Sequence, residues 1–106
     1  MATIEDLHKL EIKIGNVIIA ENVEHSDKLL KLTIDFGDET RTILTAMATY
    51  FSPEHFIGKQ LPVITNLEPR TIRGIESQGM ILAADTEDGP VLLIPEKDIP
   101  EGSKVV

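Results

Sequence analysis

The side chains of this sequence form no recognisable catalytic or metal-binding set. Ser77, in the segment GIESQGM, is the nearest to a nucleophile, but its surroundings lack the strand–turn–helix pattern of a serine elbow and no histidine is close in sequence. The three histidines, His8, His25 and His55, lack the spacing of metal ligands, and the common enzyme signatures are absent. We therefore expect no catalytic residue, no bound metal and no cofactor.

Basic side chains in the middle of the chain are the candidates for binding phosphate. They are Lys28, Lys31, Arg41, Lys59, Arg70 and Arg73. A merely solvated surface would also carry such residues. Aromatic residues make up only 4% of the chain, which disfavours stacking of successive single-stranded bases. Two alternatives remain open, namely recognition of folded RNA by shape through backbone contacts and binding of a protein partner.

The charge distribution neither requires nor excludes RNA. The formal net charge is −8, whereas a nucleic-acid binder usually has a basic surplus. By segment the charge is −3 over residues 1–24, −1 over 25–84 and −4 over 85–106, so the acidity lies at the two ends. Because charges are screened beyond about 8–10 Å at physiological salt, a basic face in the middle segment can still attract phosphate.

The elements that must position these groups are those of a small β domain. The 106 residues, 42% of them apolar, fit a single domain over residues 1–106, and turn signals about every ten residues predict short strands. Cysteine is absent, which excludes disulfides and thiolate zinc sites. No apolar run approaches the ~18 residues of a membrane span, so we expect no membrane association and a cytoplasmic protein.

Alternation of apolar and polar residues predicts five main strands. They cover residues 10–19 with a bend at Gly15-Asn16, then 30–36, 40–44, 61–64 and 80–84. Ser52 to Gly58 predicts a helix of one or two turns, because a capping hydroxyl precedes a proline and a glycine follows.

Two further segments complete the sequence-based prediction. Residues 66–79 predict a long irregular loop, which in a compact domain is usually functional. Short strands at 91–94 and 104–106 are expected to form a C-terminal extension. The fold class is therefore all-β with little helix: a five-stranded OB-fold barrel with a short helix between the third and fourth strands, whose face and loops bind oligonucleotides.

Four blocks of the sequence together resemble a known family. They are LEIKIGNV, ENVEHSDKLLKLTIDFGDETRTI, YFSPEHFIGK and NLEPRTIRGIESQGMILAAD, in this order between Ile4 and Lys104. The chain resembles the tRNA-binding domains found at the C-terminus of many methionyl-tRNA synthetases, as a separate β subunit of some, and as small free-standing dimeric tRNA-binding proteins. The last block is the most specific of the four.

The resemblance implies an OB-fold with a C-terminal addition, usually a homodimer, that grips the outside of folded tRNA. By the same resemblance the tRNA contacts fall on Lys28, Asn66, Ser77 and Met80. The lysine offers a point charge for phosphate, the amide and hydroxyl offer donors for phosphate or ribose, and the thioether packs on sugar or base. Arg70 and Arg73, in the same block, add charge.

The chain departs from the family pattern in having fewer cations. Glu68 follows Asn66-Leu67, Thr71 separates the arginines, and Ala46 stands where glycine is common. Fewer phosphate contacts lower the affinity and flatten its salt dependence. The expected function is a non-catalytic module that binds tRNA and assists methionyl-tRNA synthetase in cis or in trans. The alternative is a dimeric protein-binding or chaperone-like barrel, favoured by the acidic charge.

Overall fold

The structure, a computed structural model, describes residues 1–106 and is built almost entirely of antiparallel strands. The elements are α1 (Ile4–His8), β1 (Ile12–Asn22), β2 (Leu30–Asp35), β3 (Thr40–Thr45), a 3-10 turn (Pro53–His55), β4 (Gln60–Ile64), β5 (Arg70–Ile72), β6 (Ile75–Ser77), β7 (Met80–Ile81), β8 (Ala83–Thr86) and β9 (Gly89–Leu92). Five strands form one sheet in the order β3-β2-β1-β4-β7, and β5–β6 and β8–β9 are separate hairpins. The five-stranded sheet curls into a nearly closed barrel, which confirms the predicted all-β, OB-like class.

Strand β1 connects the barrel sheet, because it pairs with two different strands. Its first half, Ile12–Asn16, pairs with β4, and its second half, Asn16–Asn22, pairs with β2. The register with β2 shifts between Val17 and Ile19, and such a bulge bends a strand and increases its twist. The bend predicted at Gly15-Asn16 therefore lies next to the bulge in the structure.

Gly15 on β1 leaves room for core side chains from the end of β2. A Cβ atom at this position would lie 2.4 Å from Ile34 Cγ2 and 2.7 Å from Phe36 Cε1. Both neighbours are buried core side chains. Only a residue without a side chain fits here, which is a common reason for glycine inside a strand.

The hydrophobic core fills the inside of the barrel. Alternate residues of β2, namely Leu30, Leu32 and Ile34, have no solvent exposure, as the period-2 pattern predicts. The complete core cluster is Val17, Leu30, Leu32, Ile34, Phe36, Ile43, Phe56, Leu61, Val63 and Ile81. Each fully buried aliphatic side chain contributes about 1.5–3 kcal/mol from removal of apolar surface from water, so this core is the main source of stability.

Both chain ends pack against the first half of β1. The C-terminal segment bonds to it through Gly102, Ser103 and Val105, and Lys104 bridges to Lys13. The side chain of Gln60 on β4 exchanges two hydrogen bonds with the backbone of Ile99, at 2.6 and 3.1 Å. The predicted strand at 104–106 is reduced to this single bridge.

Three further predicted elements differ in the structure. The segment after Ser52 forms only a single 3-10 turn, and the Ser52 side chain makes no capping hydrogen bond. The predicted fifth strand ends at Ile81, because the chain leaves the barrel there and Ala83 begins the separate β8–β9 hairpin. The segment 66–79 was expected to be irregular, and that expectation is wrong: it contains the hairpin β5–β6.

Helix α1 is an element that the sequence pattern did not predict. Thr3 caps it, with the hydroxyl accepting from the Asp6 N–H while the Asp6 carboxylate accepts from the Thr3 N–H. This reciprocal pair is a capping box, and it lowers the pKa of Asp6. With five residues α1 is the longest helix of the chain, and no helix has the length and apolarity of a membrane crossing.

Candidate nucleic-acid interface

Two loops frame one open face of the barrel. The first joins β1 to β2 over residues 23–29, and the second joins β4 to β7 over residues 65–79 and carries the hairpin β5–β6. Strands β5 and β6 pair in the register Arg70 with Ser77, Thr71 with Glu76 and Ile72 with Ile75. In five-stranded barrels of this architecture, oligonucleotides bind at the second and third strands and these two loops.

The hairpin turns at Arg73 and Gly74, which both have positive φ, 52° and 79°. Positive φ at both central residues is the requirement of a type I′ turn, normally met by Asn-Gly or Asp-Gly. Arginine at the first position costs about 1–2 kcal/mol of backbone strain. Because Arg-Gly is not a usual dipeptide for this turn, the residues here carry no hairpin signal.

Arg41 fixes both ends of the β4–β7 connection to the barrel. Its guanidinium donates to the carbonyls of Thr65, at the start of the connection, and of Gln78, at its end. Its Nε donates to the Glu39 carboxylate at 2.8 Å. This hydrogen bond holds the pKa of Glu39 below its ordinary value and raises the pKa of Arg41. Arg41, a phosphate candidate by sequence, is therefore committed to positioning the hairpin.

Ser77 has a structural function that the sequence did not reveal. Its hydroxyl is buried, accepts from the Leu44 N–H at 3.0 Å and donates to the Gly79 carbonyl at 3.1 Å. These bonds tie β6 to β3, where the barrel closes. The hydroxyl proton is used, and no base contacts it, so the geometry is that of a structural serine rather than a nucleophile.

Three of the predicted site residues meet at one small cavity. Arg70, Ser77 and Met80 line a space of about 90 Å³ together with Leu44 and Leu67. Met80 is 47% exposed, and the Arg70 side chain forms no salt bridge. A half-exposed thioether beside a free guanidinium offers an apolar and a cationic contact to one ligand.

The other predicted residues lie elsewhere. Asn66 is tied to the N-terminal segment, since its Oδ1 accepts from the Glu11 N–H at 2.7 Å and its Nδ2 donates to the Lys9 carbonyl at 2.8 Å. Lys28 is exposed in the β1–β2 loop, where its carbonyl accepts from the Ala48 N–H. Arg73 lines a separate depression with His25 and Lys31. Roles for all six residues in ligand binding stay predictions.

Sequence reasoning left two residues of this depression out of the site. Lys31 was named only among the basic residues that could bind phosphate, and His25 only as a histidine without the spacing of metal ligands. The signal for Lys31 was its place in the alternating pattern of β2, which directs it away from the core side of Leu30 and Leu32. No comparable signal placed His25 opposite Arg73. No group of three or more His, Cys, Asp or Glu residues is arranged to hold a metal ion.

The nearly closed barrel with its two framing loops defines a small OB-like domain, a class whose open face binds oligonucleotides. Residues 12–104 match the family described as "Putative tRNA binding domain". The chain belongs to this family of tRNA-binding domains, which confirms the resemblance seen in the sequence.

Named relatives point to one translation enzyme. The chain is 47% identical over 103 residues to the methionine--tRNA ligase of Caldanaerobacter subterraneus subsp. tengcongensis and 48% identical over 103 residues to that of Archaeoglobus fulgidus. Each match covers 97% of this chain but only 16% of the relative. The chain thus spans about a sixth of the length of the curated relatives it matches.

Solved structures share the whole fold. The structure of a MetRS related protein from Pyrococcus horikoshii has a TM-score of 0.95 at 38% identity and covers 100% of this chain and 98% of that one. The structure of the chaperone CsaA from Bacillus anthracis str. Ames has a TM-score of 0.89 at 30% identity, covering 100% and 99%. The fold therefore occurs both in a MetRS related protein and in a chaperone.

Replacing Ser77 by Ala should destabilise the protein by about 1–3 kcal/mol, because the buried Leu44 N–H loses its acceptor. Ser52→Ala is the matched control, since the Ser52 hydroxyl makes no capping bond, and we expect a change within about 0.5 kcal/mol. Urea denaturation of both variants measures the difference. Equal stability of the two variants would contradict the structural function of Ser77.

Replacing Arg41 by Gln should loosen the hairpin β5–β6 and raise the pKa of Glu39 towards its ordinary value of 4.5. Because the folded-state pKa of Glu39 is lowered, the stability contributed by this pair is present above about pH 4.5 and is lost as the pH falls through the folded-state value. NMR titration of the Glu39 carboxyl and amide exchange of β5–β6 measure both effects.

Lys97→Gln is the control for this experiment, since Lys97 is exposed in the C-terminal segment and forms no salt bridge. It should leave hairpin exchange unchanged. Unchanged exchange in Arg41→Gln as well would show that the guanidinium does not hold the connection.

Proposed function

We propose that this chain binds folded tRNA by its shape and catalyses no reaction. The observation that carries the proposal is the gathering of Arg70, Ser77 and Met80 around one cavity at the base of the hairpin, on the face framed by the two loops. Membership in the tRNA-binding domain family and the likeness to methionine--tRNA ligases support RNA as the ligand. The contacts offered are to phosphate and ribose.

The hydrogen-bond pattern of Ser77 favours ribose as its partner. A hydroxyl has one donor and two acceptor positions. The donor is spent on Gly79 and one acceptor on Leu44, so Ser77 can only accept a further hydrogen bond. A ribose 2′-hydroxyl can donate such a bond and a phosphate diester cannot. The 2′-hydroxyl is also the group that distinguishes RNA from DNA.

The placement of aromatic side chains supports recognition of shape rather than of single-stranded bases. Phe36 and Phe56 are buried in the core. Phe51 stacks on His55 with ring centroids 4.6 Å apart, and only Tyr50 is largely exposed. One free ring does not make a platform for successive bases. The available contacts are those to the backbone of an RNA already folded.

We further propose that the module assists methionyl-tRNA synthetase, in cis or in trans. Its length, about a sixth of that of the ligase relatives, suits a domain that supplies binding energy while another part of the assembly performs the reaction. A tethered binding module raises the local concentration of its ligand at the catalytic site. A cytoplasmic location is part of this proposal.

A homodimer is the assembly that we propose. Two C-terminal segments expose apolar side chains: Val91, Leu93 and Ile94 in the first and Val105 and Val106 in the second are each at least 43% exposed. A groove of about 550 Å³ between α1 and the last residues is lined by Ile4, Leu7 and Leu10 as well. Exposed apolar surface of this kind marks association sites, and a second copy would cover it.

The second candidate function is a protein-binding or chaperone-like module. The likeness to the CsaA structures, at 30% and 29% identity, and the same apolar groove favour it. In this case the groove receives a polypeptide segment, and the acidic charge of the chain is no disadvantage. The two candidate functions make opposite predictions for RNA binding.

Fluorescence titration should show much tighter binding of folded tRNA than of an unstructured RNA of equal length. We expect Arg70→Gln to weaken tRNA binding about tenfold, or about 1.4 kcal/mol, because one phosphate contact is lost. Lys97→Gln, an exposed lysine of the C-terminal segment, is the charge-matched control and should change little. Absence of tRNA binding at low salt, where electrostatic attraction is strongest, would favour the protein-binding candidate.

Sedimentation velocity at micromolar concentration should show a dimer. Ile94→Asp should give a monomer, because a carboxylate would be buried in the apolar contact. Ile57→Asp is the control, since Ile57 is similarly exposed but lies beside the 3-10 turn, outside the two C-terminal apolar segments. A monomeric wild-type protein, or equal effects of both substitutions, would count against the proposed assembly.

A further inference from the structure

A polar depression lies between the two loops that frame the open face. It has a volume of about 490 Å³. The end of β1 and the β1–β2 loop contribute Glu21, Glu24 and His25, β2 contributes Lys31, and the hairpin turn contributes Arg73. It is separate from the cavity at the base of the hairpin, which is lined by Arg70, Ser77 and Met80.

The two strong cations of this depression have no partner within the protein. Neither Lys31 nor Arg73 forms a salt bridge, and neither side chain makes a hydrogen bond, although Glu21 and Glu24 line the same space. Lys31 is partly buried. Glu21 lies opposite Lys31 in the β1–β2 register, but neither glutamate forms an ion pair with Lys31 or Arg73, so both cations can donate to a bound anion. Arg41, by contrast, has its guanidinium fully engaged.

The backbone at the two walls is strained at facing positions. His25 and Arg73 are the two non-glycine residues of the chain with positive φ, at 61° and 52°. One lies in the β1–β2 loop and the other at the hairpin turn, on opposite sides of the depression. Residues held in this conformation occur preferentially at ligand clamps, and here both carry side chains that can donate to an anion.

We propose that this depression binds a phosphate group of an RNA backbone, with Arg73 and Lys31 as the principal donors and His25 as a third. The inference rests on the proposed function and adds a second contact point to it. Arg73 follows Arg70 by three residue steps along the hairpin, about 10 Å at 3.3 Å per residue. A ligand that contacts both ends of the hairpin is therefore longer than one nucleotide.

The two glutamates lower the affinity of this subsite for small anions. Glu21 and Glu24 offset the charges of Lys31 and Arg73, so a lone anion gains little net attraction there. A phosphate that the rest of a bound RNA holds in place does not depend on this net attraction. It still gains the hydrogen bonds from Arg73 and Lys31. We thus expect weak binding of small anions and a measurable contribution to RNA binding.

The salt dependence of tRNA binding tests the subsite. Arg73→Asn removes the charge and keeps a residue that tolerates positive φ, and Lys31→Gln removes the second cation. Each should weaken binding about three- to tenfold and reduce the slope of log K against log salt by about 0.7–0.9, the value of one lost phosphate contact. Lys97→Gln, which lines neither cavity, should leave the slope unchanged.

A second measurement separates this subsite from the proposed function. Titration with millimolar pyrophosphate, followed by NMR, should shift the backbone amides of residues 24–26 and 72–75, and Arg73→Asn should abolish the shifts. If the wild-type protein binds tRNA but Arg73→Asn and Lys31→Gln change the affinity and the salt slope no more than Lys97→Gln does, the subsite is refuted and the proposed function stands. If pyrophosphate shifts these amides but tRNA does not bind, the anion subsite stands and the proposed function fails. If neither binds, both are refuted.

Discussion

The structure depends on one strand that several parts of the chain share. β1 pairs with β4 through its first half and with β2 through its second half, and the C-terminal segment bonds to its start. The curvature that brings these partners together needs the bulge near Val17 and the bare backbone of Gly15, where any side chain would meet Ile34 and Phe36. The end of this strand sets the position of the β1–β2 loop. The geometry of the candidate interface therefore depends on how the core packs.

Four polar side chains of the candidate interface bond to the backbone of other segments. Ser77, Asn66 and Arg41 each bond to main-chain groups of another segment, and Gln78 accepts from the Thr42 N–H at 3.0 Å. These bonds fix a connection that has few apolar contacts of its own. What remains for a ligand is a small set of exposed groups on a support that these hydrogen bonds hold in place, which is consistent with the proposed recognition of folded tRNA by its shape.

The sequence predicted the parts of the fold that repeat with a simple period. β2 and β4 lie where apolar residues were expected, because burial of one or both faces imposes that pattern. The hairpin β5–β6 escaped prediction because its strands have three residues each and its turn uses Arg73-Gly74. The side-chain amide of Asn66 forms hydrogen bonds with residues more than fifty positions away in sequence, and no local pattern predicts such a contact.

The acidic character of the chain is compatible with an anionic ligand because of where the charges lie. Helix α1 with Glu11 and the last residues of the chain pack near the start of β1, around Ile12–Ile14. The polar depression lies at the other end of the strand, beyond Glu21. Seven residue steps lead from Ile14 to Glu21, at most about 23 Å at 3.3 Å per residue. Because exposed charges are largely screened beyond the Debye length of about 8 Å at physiological salt, the acids near the start of β1 act only weakly on a phosphate at the depression. The local balance there is set by Glu21 and Glu24 against Lys31 and Arg73, and the net charge of the whole chain says little about that site.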